Sequence, residues 1–148
     1  MLLLLVAGLC IYGAVEQLIL GRPFGNNPAS DEVLVLTIIV FGLGLPVFMH
    51  QLCLMVEVYE DGLRYRFYPL QLSFRKLGRE EIISFEAVTY RPIRDYGGWG
   101  IKYGRNGAAY NVSGNRGVQL QLTDGRRMLF GSQRPEELAS ALRTITKK

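Results

Sequence analysis

The fold of this chain depends on the stretch VLVLTIIVFGLGLPVFMHQLCLMV, residues 33–56, a run of 24 residues without Asp, Glu, Lys or Arg. A helix needs roughly 20 mainly apolar residues to cross a bilayer, so this run is long enough. A second apolar run lies upstream, at about residues 2–20, and Glu16 is its first charged residue. We therefore predict that residues 1–56 form a two-helix transmembrane hairpin with spans at about 2–20 and 33–56. A signal peptide is the alternative for the first run, but no basic side chain precedes that run.

The segment between the two runs, residues 21–32, is rich in Gly, Pro and Asn, which indicates a loop. Ser30 is in position to cap the second helix. Gly42 and Gly44 followed by Pro46 predict a kink in that helix. His50, near its end, is the only histidine.

Basic residues near the ends of the two runs predict the orientation of the hairpin. Arg22 is the only basic residue of the loop, whereas four basic residues follow the second run within a short distance. Loops rich in Lys and Arg stay on the cytoplasmic side. We expect a multi-pass protein of the cell membrane (the inner or plasma membrane), with both termini and the following domain in the cytoplasm.

Charge and cysteines are divided between the two parts of the chain. The formal charge is −2 for residues 1–56 and +6 for residues 57–148. A basic domain beside a bilayer suits anionic headgroups, although positive charge can also mark the cytoplasmic side and do no more. Cys10 and Cys53 both lie in apolar segments. They fit a reducing compartment and predict no metal site and no cofactor.

Residues 57–148 show the two-residue alternation of β-strands. Leu63, Tyr65 and Phe67 alternate with polar residues after a turn at Asp61-Gly62. Similar patterns predict strands at residues 54–59, 63–67, 72–76, 82–90, 101–103, 108–112, 118–122 and 127–130. The period then changes, and residues 134–146 predict an amphipathic helix. The prediction for residues 57–148 is an all-β barrel of about seven strands, closed or nearly closed, capped by the C-terminal helix.

Several segments carry a resemblance to a known group of domains. They are VYEDGL at residues 58–63, YGGWGI at 96–101, YNVSG at 110–114, DGRR at 124–127 and GSQRPEEL at 131–138. In these segments the chain resembles bacterial pleckstrin-homology-like (PH-like) domains that follow two-helix membrane hairpins, a largely uncharacterised group. The resemblance covers about residues 33–148 and implies a PH-like barrel. That fold carries lipid binders, peptide binders and assembly modules, so the resemblance leaves the activity open.

Two surfaces are candidate sites. A lipid-surface set consists of Arg64, Arg66, Arg75 and Lys76. In the PH group, lipid sites place basic residues on the first two strands, whereas this chain has Glu57, Glu60 and Asp61 there, a departure that disfavours specific phosphoinositide binding. A partner-contact set lies in the least regular stretch and consists of Arg91, Arg94, Tyr96, Trp99, Lys102 and Arg105. Trp99 is either a core residue or an anchor for a partner.

Catalytic residues are not recognisable after the hairpin. Residues 57–148 contain no His and no Cys, and the adjacent Glu80 and Glu81 point apart in an extended chain. The glycines around Trp99 have no helix pattern after them, so they do not form a dinucleotide-binding loop. Asn111-Val112-Ser113 matches a glycosylation acceptor, which a cytoplasmic domain would not use. We predict that the protein is not an enzyme, binds no nucleic acid and has no identifiable small-molecule substrate.

Three functions remain open. The first is an integral membrane protein whose cytoplasmic PH-like module binds a protein partner or forms homo-oligomers, with strand addition at an open edge as one route. The second is sensing of an anionic lipid surface by the basic face. The third is a subunit of an oligomeric transporter or membrane enzyme that uses Glu16 and His50.

Overall fold

The computed structural model describes residues 2–104 and 107–146. The chain divides into two compact units, Met1–Gln51 and Leu52–Lys148. The first unit is helical. Helix α1, Leu2–Ala14, continues as a π-helical turn, Val15–Ile19, and helix α2 spans Asp31–Gln51.

Within the first unit, α1 packs against the middle of α2. Gln17 ties the loop to the helices, because its Nε2 donates to the Ala29 carbonyl at 2.7 Å and to the Asp31 carboxylate at 2.9 Å. Ser30 precedes α2 in the extended conformation expected of a capping residue, but its side chain makes no capping hydrogen bond.

The middle of α2, Ile38–Gly44, is π-helical. Pro46 follows and has no N–H to donate to the Gly42 carbonyl, and its ring crowds that oxygen. A wider helical turn before a proline accommodates both problems. At the place of the predicted kink, the structure has a π-helical segment.

The described residues of the second unit form eight strands and two α-helices. The strands are β1 Cys53–Tyr59, β2 Gly62–Tyr68, β3 Arg75–Gly78, β4 Ile82–Thr89, β5 Gly100–Gly104, β6 Gly107–Asn111, β7 Arg116–Leu122 and β8 Arg127–Gly131. The helices are α3 Pro92–Tyr96 and α4 Pro135–Thr146. A short 3₁₀ turn, Arg79–Glu81, joins β3 to β4.

The strands form two separate sheets, which corrects the predicted closed barrel. The first sheet has the order β1-β2-β3 and the second the order β4-β7-β8-β6-β5. All pairs are antiparallel except β6 with β8. Alternation shows which residues face inward but does not show which strands pair. Closure needs every strand to have two neighbours, and β1 and β4 each pair with only one strand among the described residues.

Two predicted boundaries were wrong, and one short helix was not predicted. The second apolar run was expected to remain helical to Val56, but α2 ends at Gln51 and residues 53–56 belong to β1. The third strand is Arg75–Gly78 and not residues 72–76. A short helix, α3, replaces the expected loop, since Pro92 starts it and Gly97 ends it with a left-handed φ of 75°.

The core of the second unit lies between the two sheets and α4. Its largest fully buried side chains include Leu63, Phe67, Tyr110, Phe130 and Leu142. Helix α4 packs on β4, β7 and β1, and Leu142 and Ile145 are buried there as its amphipathic pattern predicted. This helix therefore covers a part of the core that the two sheets leave open.

Candidate functional site

The first candidate is a groove beside the outer edge of β1. Among the described residues β1 pairs only with β2, so its other edge presents unpaired backbone groups. The groove along this edge has a volume of about 660 Å³. We call it the β1 groove. Its lining consists of residues 52–54, Val56, Val58, Val112, Ser113, residues 131–134, Glu137, Leu138 and Ala141.

The two walls of the β1 groove are apolar. Leu54, Val56 and Val58 stand in register with buried residues of β2 and share their inward face. Leu138 and Ala141 of α4 form the opposite wall, and both are only partly buried. The ends of β6 and β8 and the side chains of Gln133, Arg134 and Glu137 add a polar rim. The groove therefore combines an open strand edge with apolar walls, the arrangement that accepts an added strand.

The structure divides the predicted lipid-surface set between two faces. Arg64 and Lys76 are in register across β2 and β3, and Arg66 is on the same outward face. Arg75 is in register with the inward-facing Tyr65 and lies on the opposite face. Alternation within β3 causes this division, because neighbouring residues of a strand point to opposite faces.

An acidic residue offsets part of the outward basic face. Asp61 accepts from Lys76 at 2.8 Å and lies 3.6 Å from Arg64. The hydrogen bond from Lys76 is the main cause that lowers the pKa of Asp61 below its usual value. Arg64 also lies 4.4 Å from the centre of the Tyr59 ring. Arg64 and Lys76, two of the three outward cations, therefore already contact side chains of their own chain.

Arg66 is held against the sheet. Its guanidinium lies 4.6 Å from the Phe74 ring centre, and it donates to the Leu72 carbonyl at 3.2 Å and to the Met55 sulfur at 3.0 Å. Its Nε is buried without a hydrogen-bond partner among the described residues. A side chain fixed in this way is a poor contact for mobile headgroups, since moving outward would break several contacts.

The predicted partner-contact set is only partly a surface. Arg91 and Arg94 are exposed on either side of the start of α3. The Arg91 N–H donates to the Asp95 carboxylate at 2.8 Å, which stabilises that start. Lys102 is half-buried on β5. Arg105 lies outside the described residues.

The two aromatic members of the set differ in burial. Trp99 is 45% exposed and belongs to neither buried cluster, so of the two alternatives the structure favours an exposed residue over a core residue. Its indole N–H donates to the Gly114 carbonyl at 2.8 Å. Tyr96 is only 8% exposed, packs in a cluster with Tyr90, and donates its hydroxyl to Gln119 at 3.1 Å. Tyr96 therefore does not contribute its ring to a contact surface.

Asn111 has a structural role that its sequence motif did not indicate. Its side chain is fully buried. Its Oδ1 accepts from the Gly100 N–H at 2.9 Å, and its Nδ2 donates to the Tyr90 hydroxyl at 3.0 Å. These bonds join β5, β6 and the end of β4, and a buried amide cannot serve as a glycosylation acceptor.

A helical unit with one long apolar helix, followed by a two-sheet β unit with a C-terminal helix, defines the class of this protein. The chain belongs to DUF6141, a family of unknown function, whose pattern matches residues 1–147. No curated protein and no solved structure matches the chain.

Proposed function

We propose that this protein is a membrane-anchored assembly module in which the β1 edge of a PH-like β unit accepts a strand from another chain. The observation that carries the proposal is the unpaired edge of β1 beside the β1 groove. A strand added at such an edge gains main-chain hydrogen bonds along its length and places alternate side chains in the groove.

The composition of β1 supports this role. Sheet edges are usually protected by lysines, prolines, bulges or short strands. β1 is seven residues long with the sequence CLMVEVY, and Glu57 is its only charged residue. By contrast, β3 at the edge of the same sheet has four residues, two of them basic. An unprotected edge of this length is an aggregation hazard unless a partner covers it.

Support for the membrane anchor comes from the length and exposure of α2. It has 21 residues with a mean hydropathy of 2.3 in its most apolar part, none of which is buried within the chain. The apolar stretch Gly8–Ile19, which runs from α1 into the π-helical turn, is shorter, and Leu5, Leu9 and Ile11 are largely exposed. We propose that both helices insert as a hairpin and that the β unit lies in the cytoplasm, because basic residues concentrate after α2.

The occupant of the groove is a second copy of this chain. A two-fold axis brings two β1 edges together, so that each supplies the donors and acceptors that the other lacks. Both copies would be held in one membrane, which raises their effective concentration and lets a small interface suffice.

The test is the oligomeric state of the full chain in a mild neutral detergent, measured by size-exclusion chromatography with light scattering. Ala141→Trp fills the β1 groove from the α4 side without changing β1. The matched control is Ser140→Trp, which places the same ring at an exposed position next to it. We expect a wild-type dimer, a dimer for Ser140→Trp and a monomer for Ala141→Trp.

A monomeric wild type would refute self-assembly and leave a different protein as the occupant. That alternative is tested with a photo-crosslinking amino acid at Glu137, on the rim of the groove, in living cells. Only a crosslink that Ala141→Trp abolishes and Ser140→Trp retains would count in its favour. Absence of both the dimer and such a crosslink would reject the β1 edge as a binding site.

A further inference from the structure

A second cleft of the β unit is lined by arginines and tyrosines. Its lining includes none of the outward-facing residues of β1 and β2. It has a volume of about 460 Å³. We call it the Arg–Tyr cleft. Its polar side chains are those of Tyr65, Arg75, Tyr103, Tyr110, Arg126 and Arg127.

Five strands, and the turn before the last of them, bring these side chains together. Tyr65 and Arg75 are in register on β2 and β3, facing inward. Tyr103 and Tyr110 come from β5 and β6. Arg126 and Arg127 come from the turn before β8 and its first residue. The cleft therefore lies where the β2–β3 pair meets the second sheet, which sequence spacing alone does not reveal.

Two glycines set the backbone at this place. Gly125 has a φ of 82°, which allows the turn in which the Arg126 N–H donates to the Asp124 carboxylate at 2.9 Å. Gly107 has a φ of 98°, and a Cβ there would lie 2.1 Å from the Arg127 carbonyl oxygen. The absence of a side chain at Gly107 allows β6 to approach Arg127 closely.

The floor of the cleft supplies neutral hydroxyl donors. Tyr65 and Tyr110 are buried, with ring centres 5.0 Å apart, whereas Tyr103 is 74% exposed at the rim. Burial raises the pKa of Tyr110, and the neighbouring hydroxyls of Tyr65 and Tyr103 raise it further. The Tyr110 phenol thus stays protonated at neutral pH and can donate a hydrogen bond to an anion.

The rim carries three guanidinium groups, and no carboxylate lines the cleft among the described residues. Next to the cleft, Asp124 pairs with the Nε of Arg126. That pair leaves the terminal nitrogens of Arg126 for another acceptor. Planar guanidinium groups bind phosphate oxygens in a bidentate manner, and tyrosine hydroxyls add directional donors.

From this juxtaposition we propose that the Arg–Tyr cleft binds a phosphate-bearing anion, either a free phosphorylated compound or the headgroup of a lipid. The volume lies within the range of small-molecule sites, roughly 300–1,000 Å³, and exceeds the needs of one phosphate group. This site is separate from the β1 groove, so the proposal does not depend on the assembly function.

The test is calorimetric titration of the full chain in neutral detergent with two probes, pyrophosphate and the short-chain lipid dihexanoyl phosphatidic acid. Arg75→Gln and Arg126→Gln each remove a charged donor from an exposed side chain. We expect saturable binding by the wild type and a rise in Kd of about 10-fold or more for each variant, because charge-assisted hydrogen bonds are the strong ones. The matched control is Arg143→Gln, an exposed arginine on α4, which should leave Kd unchanged.

A fourth variant changes affinity in the opposite direction. Asp124→Asn keeps the turn acceptor but removes the charge that competes for Arg126, so we expect tighter binding of the same probe. A purely structural role of these arginines would not produce this gain. Stronger binding of pyrophosphate identifies a free phosphorylated compound as the ligand class, and stronger binding of the lipid identifies a headgroup. Saturation by neither probe, or equal weakening by Arg143→Gln, would overturn the proposal.

Discussion

Replacing Asn111 with Ala should destabilise the β unit by about 2–4 kcal/mol. The substitution removes the acceptor of the Gly100 N–H and the donor to the Tyr90 hydroxyl. The Asn111 side chain is fully buried and Tyr90 is 7% exposed, so water cannot readily replace these bonds. A buried polar group that loses its partner costs about 1–3 kcal/mol. The expected loss is a large part of the roughly 5–15 kcal/mol that stabilises a typical domain.

The measurement is denaturant unfolding of the full chain in mild detergent, followed by Trp99 fluorescence. Trp99 is the only tryptophan, and its indole donates to Gly114 within the β unit. Its signal therefore reports the unit that contains Asn111. The matched control is Asn115→Ala, at an exposed position, which should shift the free energy of unfolding by no more than about 0.5 kcal/mol.

A Tyr90→Phe variant makes the test quantitative. It removes the hydroxyl that Asn111 contacts while keeping the ring in its cluster. The double variant Asn111→Ala/Tyr90→Phe should lose less stability than the two single losses added, because the two side chains share one bond. If the free energy of unfolding of Asn111→Ala lies within about 0.5 kcal/mol of the wild-type value, the idea that this buried amide holds β4, β5 and β6 together is wrong.

Three further predictions concern other parts of the chain. Gly107→Ala should destabilise the β unit by on the order of 3 kcal/mol, seen as a lower denaturant midpoint, because its Cβ would meet a backbone carbonyl of β8 at 2.1 Å. The folded pKa of Asp61 is lowered by Lys76 from 3.8, so its stabilising contribution is present above that value and lost as pH falls through the folded pKa. Wild type should therefore lose more stability than Asp61→Asn between about pH 5 and pH 2 in unfolding curves. Leu43→Lys, in the middle of α2, should move the chain from the alkali-washed membrane pellet to the supernatant, whereas Leu70→Lys in the β unit should not; retention of Leu43→Lys in the pellet would argue against a span.

Local pattern predicted most of the elements of the β unit. β2 has the expected inward residues Leu63, Tyr65 and Phe67, and α4, Pro135–Thr146, lies within the helix predicted at residues 134–146. The short helix α3 was missed because its five residues carry no helical period, and its start depends on one contact between the Arg91 N–H and Asp95. The end of α2 was placed too late, since apolar residues continue from the helix into β1 without a change in composition.

The candidate sites were less accessible to sequence reasoning. Arg64, Arg66, Arg75 and Lys76 were grouped because they are near in sequence, yet pairing in register places Arg75 on the other face of the sheet. Arg126 and Arg127, more than forty residues away in the chain, line the same cleft as Arg75. The Asp124-Gly125 turn, which sets the position of Arg126 and Arg127, is visible in the sequence. It does not show which distant residues line the cleft with them.

The sequence by itself determined the division of the chain into an apolar helical part and an alternating β part, the inward faces of most strands, and the C-terminal helix. These features follow from composition and period, which are local properties. Only the tertiary structure decided that the strands form two sheets, that β1 pairs with a single strand among the described residues, and that the Arg–Tyr cleft exists. The physical reason is that strand pairing and the meeting of distant residues depend on which hydrogen-bonding edges and apolar faces cover one another, and many arrangements satisfy the same alternating pattern.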